Sequence, residues 1–261
     1  MDVDGPALLS VVPVALYQHG QRAPEVVGSG VLAHVFGQGV LLTAAHVLDK
    51  LADGRMLIPG PVGRFVEIDG QCFCSEAPSG IRTDDQMDMG FVWLGSADQA
   101  FFDPRTRPLQ EEDIALDVRS LDGPNMYTFV GYPWRKTETQ GQDLIAGLER
   151  FSGIGQDSRV LERQGLNSAQ HIAISFHRGK STHGGSQRKM APLPHGISGG
   201  GIFAWSKAPK GIRPMPVGLR LVGIAHTWLE AECLLVGTRI EFLLAEIHTI
   251  TTAHKGFPQR V

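Results

Sequence analysis

The stretch Gly28-Ser29-Gly30-Val31-Leu32-Ala33-His34-Val35, with Gly39-Val40-Leu41-Leu42-Thr43-Ala44-Ala45-His46-Val47-Leu48 close behind it, decides the fold. Two apolar runs of strand length flank a glycine-containing turn, which reads as a β-hairpin. The second run passes directly into Thr43-Ala44-Ala45-His46. Small residues before His46 let a short helical turn pack closely and set the imidazole at the end of a strand. Of the ten histidines, His46 alone has this frame.

Two further segments carry chemistry. Gly196-Ile197-Ser198-Gly199, followed by Gly200 and Gly201, boxes a serine between glycines. Glycines clear side chains from around the hydroxyl, so a carbonyl can approach and backbone N–H groups can converge on one point, as an acyl-transfer nucleophile requires. Asp88-Met89-Gly90-Phe91-Val92-Trp93-Leu94 sets an aspartate at the mouth of a buried strand. A carboxylate there can accept an imidazole N–H while shielded from water, fixing the tautomer and stabilising the imidazolium. Its neighbours Asp84 and Asp85 lie in a polar segment, Thr83 to Gln86, that reads as solvated; that one of them is the acid is a shallower alternative. Singly, these residues read as a core histidine, a turn aspartate and a turn serine. Together and in this order they make a base, an orienting acid and a nucleophile.

The order His46, Asp88, Ser198, with Gly-Ser-Gly on a strand, Thr-Ala-Ala-His, Asp-x-Gly-Phe-Val and Gly-x-Ser-Gly-Gly, resembles the chymotrypsin-like (trypsin-like) serine peptidases, in their bacterial single-domain form. The α/β-hydrolases and subtilisins use the same chemistry in other orders. Tyr127-Thr128-Phe129-Val130-Gly131-Tyr132-Pro133 resembles the strand and turn that open the second barrel, and Leu221-Val222-Gly223-Ile224-Ala225 the strand against which substrate backbone pairs. The resemblance runs over roughly residues 12 to 250. It implies an all-β fold of two six-stranded antiparallel Greek-key β-barrels with a C-terminal helix. One peptidase domain would then fill residues 1–261, with a first barrel over about 12–115, a second over about 125–238 and the helix over 239–250. It implies serine endopeptidase activity through His46, Asp88 and Ser198, an oxyanion hole from the N–H groups of Gly196 and Ser198, no metal and no cofactor. The substrate would be a protein or peptide, with a regulatory partner protein left open. A protease-fold binding module that has lost catalysis is the alternative.

Specificity is less determined. In the family the residue six before the serine often forms the floor of the substrate pocket; here it is Pro192, so the resemblance implies no acidic floor. Glutamyl-selective relatives carry a histidine on the strand after the serine, and His226 stands one residue beyond that place. A one-residue slip turns a strand side chain to the other face, so His226 either lines the pocket or points away. Thr227 and His195 are further pocket candidates. In members activated by cleavage, a new N-terminal amine pairs with an aspartate just before the serine. Ile197 stands there and cannot make that pair, so no N-terminal cleavage is expected.

The 261 residues are 42% hydrophobic, enough for a sizeable core. The 32 glycines and 16 prolines suit many short strands joined by turns. A net charge of −3 gives no general attraction to nucleic acid or to an acidic membrane. Three cysteines, Cys72, Cys74 and Cys233, show neither a disulfide framework nor metal spacing. With no positive leader before the short run Leu8 to Leu16, they lead us to expect the bacterial cytoplasm.

Strands are expected at 11–17, 27–35, 39–43, 64–74, 90–94, 127–131, 143–148, 171–177, 201–205, 217–225 and 234–238. A polar stretch, about 95 to 124, reads as the crossing between barrels, and Arg239 to Thr249 has helical apolar spacing. Arg178 to Lys189 is glycine-rich and basic; it reads as a solvated loop or as a specificity or activation loop.

Overall fold

The computed structural model describes residues 5–18, 20–21, 23–50, 54–61, 64–95, 102–115, 126–134, 137–140, 143–177, 191–205 and 219–254. The basic segment 178–189 lies outside the described residues. The chain is mostly β, in two curled antiparallel sheets with a C-terminal helix. The first sheet holds β1 (Val11–Tyr17), β2 (Glu25–Val35), β3 (Gln38–Thr43), β4 (Arg55–Pro59), β5 (Phe65–Glu67), β6 (Gln71–Cys74) and β7 (Gly90–Leu94), in the order β5-β4-β1-β2-β3-β7-β6. It therefore has seven strands where six are expected. The stretch 64–74 breaks into two because residues 68–70 turn the chain from one edge of the sheet to the other, so β5 and β6 sit at opposite edges.

The second sheet holds β8 (Met126–Gly131), β11 (Glu149–Ile154), β12 (His171–Ser175), β13 (Gly201–Trp205), β14 (Leu219–Leu229) and β15 (Leu234–Arg239), in the order β11-β8-β13-β14-β15-β12. A bridge between Gly155 and Ile174 joins its two edges. A separate hairpin pairs β9 (Thr137–Gln140) with β10 (Asp143–Ala146). The helices are α1 (Gly5–Leu9), α2 (Ala45–Asp49), α3 (Ser158–Arg163) and α4 (Ile240–His254).

Alternation along the strands builds three apolar layers, because successive side chains leave a strand on opposite faces. On β2 and β3, Leu32 and Leu41 face the inside of the first sheet with Val14, Ile58 and Val92. Their neighbours Val31, Ala33, Val40 and Leu42 face the other way, where they meet Val130, Phe203, Leu221 and Ile224 of the second sheet and Leu243 and Ile247 of α4. A third cluster, with Phe129, Phe151, Ile174, Ile202 and Val222, fills the second sheet. The two sheets are thus sealed by a layer that belongs to both.

The crossing segment is less solvated than its composition suggests. Leu109 is fully buried and pairs with β2, its carbonyl accepting from His34 N at 2.7 Å and its N–H donating to Leu32 O at 2.9 Å. Ala115 N then donates to Leu221 O at 2.9 Å, so this segment passes from β2 to β14 along the seam. Among the described residues no helix is long and apolar enough to cross a membrane.

Candidate active site

His46 sits in the first turn of α2, immediately after β3. Ala44 precedes this helix and has no capping side chain. A carboxylate from elsewhere does that work: Asp88 Oδ1 accepts the His46 N–H at 2.9 Å. The other oxygen, Oδ2, lies 2.6 Å from His46 Nδ1. One buried carboxylate therefore both caps the helix and orients the ring, leaving Nε2 turned to the cleft as the basic nitrogen. The Asp88 side chain is 10% exposed and that of His46 30%. Asp84 and Asp85 do not reach the imidazole: Asp84 bonds Ser79, and Asp85 is paired with Arg82 at 2.6 Å.

Ser198 is fixed by its backbone. Its carbonyl accepts from Ser29 N at 2.7 Å. Ser29 Oγ donates to Gly196 O at 2.9 Å and accepts from Tyr132 N at 2.8 Å. The fully buried Ser29 thus staples the loop carrying Ser198 to β2. Gly199 is required by this close approach, since a Cβ there would stand 2.0 Å from Ser29 O. Gly196 has φ +95°, which turns the peptide before Ile197. Ile197 buries its side chain among Phe129, Phe151 and Ile202, an apolar anchor beneath the loop. The N–H groups of Gly196 and Ser198 have no hydrogen-bond partner among the described residues. Ser198 Oγ donates to His226 O at 3.0 Å, and no bond from it to His46 is present among the described residues.

Around these groups is a cleft of about 430 Å³. His46, Arg82, Asp85 and Asp88 form one wall; Pro194, His195, Gly196, Ser198, His226, Thr227 and Trp228 form the other. Pro192 is not part of this lining; Pro194 and His195 take that place. His195 packs edge-on against Trp228, ring centroids 5.2 Å apart. Among the described residues no group of three or more His, Cys, Asp or Glu is placed to hold a metal ion.

His226 owes its position to a β-bulge. On β14, Ala225 faces Gly237 and Thr227 faces Val236, so His226 is the extra residue between them. The bulge turns the ring into the buried wall of the cleft. Thr238 Oγ1 donates its proton to Met87 O at 2.6 Å, so it can only accept from His226 Nε2, 3.3 Å away. That makes Nδ1 the acceptor for the Thr227 hydroxyl at 2.8 Å. Burial pushes the ring down to about 4, so it is neutral near pH 7. Both nitrogens are spent inside the protein, and the ring has no N–H left for a substrate carboxylate. No protein-family model matches the chain, and the comparison with curated proteins gave no match.

Proposed function

We propose that the protein is a serine endopeptidase of chymotrypsin-like architecture, acting on a protein or peptide. The 2.6 Å contact between His46 and the buried Asp88, facing Ser198 across one cleft, carries this reading. The strand order β4-β1-β2-β3 supports it as a Greek-key arrangement, in which the fourth strand returns beside the first. Three free cysteines fit a reducing compartment such as the cytoplasm.

Ser198 Oγ leaves the His226 carbonyl by rotation about its Cα–Cβ bond and attacks the scissile carbonyl carbon. Its proton passes to His46 Nε2, while Asp88 stabilises the imidazolium. The new oxyanion takes the free N–H groups of Gly196 and Ser198, a donor pair in which each member is worth about 10²–10³ in rate. Collapse of the intermediate expels the amine, which carries the His46 proton. Water then repeats the sequence on the acyl-enzyme. Labelling by a fluorophosphonate tests this: one adduct on Ser198, lost in Ser198→Ala with unchanged folding, is expected.

The bond from Ser198 Oγ to His226 O favours a second reading, a protease-fold binding module with a parked hydroxyl. An intact chain that takes no fluorophosphonate on Ser198 would establish that reading instead.

A further inference from the structure

Asp88 has φ +37°, a left-handed conformation that a non-glycine residue keeps only when its surroundings impose it. We propose that Asp85 is the positioning residue that imposes it, acting with Ser75 and Arg82. This rests on the triad reading above. The two backbone N–H groups that flank Asp88 end on one unit. Met87 N donates to Asp85 Oδ1 at 3.0 Å. Met89 N donates to Ser75 Oγ at 3.1 Å, and Ser75 Oγ donates to Asp85 Oδ2 at 2.5 Å. The loop on either side of Asp88 is therefore tied to the same carboxylate.

Arg82 extends the tie to the base. One guanidinium nitrogen donates to Asp85 Oδ2 at 2.6 Å, and two others reach Asp49 at 2.7 and 3.0 Å. Asp49 closes α2, the helix that carries His46. Asp49, Arg82 and Asp85 thus connect the base and the acid by a path separate from their direct bond. The Asp85 side chain is 3% exposed. Burial alone would raise its carboxyl. The bonds from Ser75, Arg82 and Met87, with the nearby Asp88 backbone, outweigh that and hold it below the usual range, so it is ionised as the network needs. Asparagine keeps the shape but has one acceptor oxygen and an NH2 group, so it cannot serve both the backbone and the Arg82 side.

The test uses the full chain, a fluorophosphonate and its labelling rate against pH. Asp85→Asn is expected to fold cooperatively, to label Ser198 at least tenfold more slowly and to move the pH midpoint of labelling. In an Asp88→Asn background the same change is expected to cost less than about twofold, because Asp85 acts through Asp88. Equal factors in both backgrounds, or no loss in either, overturn the proposal. If Asp85→Asn fails to fold, Ser75→Ala, which frees Met89 N and removes the hydroxyl bond to Asp85, is expected to slow labelling and shift the midpoint in the same sense; an unchanged profile overturns it. A native chain that does not label at all sinks the peptidase reading itself. The proton in the His46–Asp88 bond gives an independent readout by NMR: its downfield line should shift in Asp85→Asn, and an unmoved line counts against the proposal whatever the activity.

Discussion

His226 shows how one side chain can tie stability to pH. Its ring is neutral in the folded chain, with a pKa of about 4, against 6.5 for an unhindered histidine. Above pH 6.5 neither state holds the extra proton and stability is complete. As pH falls from 6.5 to about 4, the unfolded chain takes up a proton that the folded chain refuses, so stability declines. The full loss is about 3 kcal/mol. Urea unfolding at about pH 7.5 and about pH 4.5 should show most of it, and His226→Gln should remove its share. A native stability that stays flat over this interval would exclude the neutral, doubly bonded ring. The sequence located His226 to within one residue of the cleft wall but not its direction. A bulge is a relation between two strands, and nothing in Ile224-Ala225-His226-Thr227 announces it. Asp85 was hidden for a similar reason: among polar neighbours it reads as solvated, and only the fold brings Ser75 and Arg82 to it.

At the scale of elements, the hairpin of β2 and β3 was legible because both runs are apolar and their turn holds a glycine. The strand β4 was not. Arg55-Met-Leu-Ile-Pro buries only Met56 and Ile58, and its closing proline argues against a strand unless it lies near an edge. Likewise β11, with Glu149, Arg150 and Ser152 among its six residues, is held by pairing along its whole length with β8 rather than by its own pattern. That β2 and the loop carrying Ser198 depend on each other was also not legible, because Ser29 reads as a small strand residue. Its hydroxyl serves Gly196 O and Tyr132 N together. Ser29→Ala leaves both part-buried groups without that partner, which should cost about 1–3 kcal/mol. It should also slow fluorophosphonate labelling, since Gly196 is one of the two proposed oxyanion donors. Glycine at 29 gives the same loss if the hydroxyl is responsible; retention of stability in both variants would show that the staple is dispensable.

For the whole molecule, the site lies where the two sheets meet: His46 and Asp88 come from the first, Ser198 and His226 from the second. The layer beneath them, with Val31, Leu42, Val130, Phe203 and Leu221, is shared, so neither sheet buries its own outer face without the other. Gln86 and Met87, just before Asp88, are held from the second sheet by His171 Nε2 at 2.8 Å and Thr238 Oγ1 at 2.6 Å. Folding and assembly of the site should therefore be one event. Leu221 is the place to test this, fully buried and bonded through its carbonyl to the crossing segment. Leu221→Ala opens a cavity between the sheets and should cost about 2–5 kcal/mol. Because both halves rest on that layer, the loss should appear as one lowered transition, with circular dichroism and Ser198 labelling falling at the same denaturant concentration. Separate midpoints, with labelling lost before the sheets unfold, would mean that the seam opens by itself and that the sheets are stable apart.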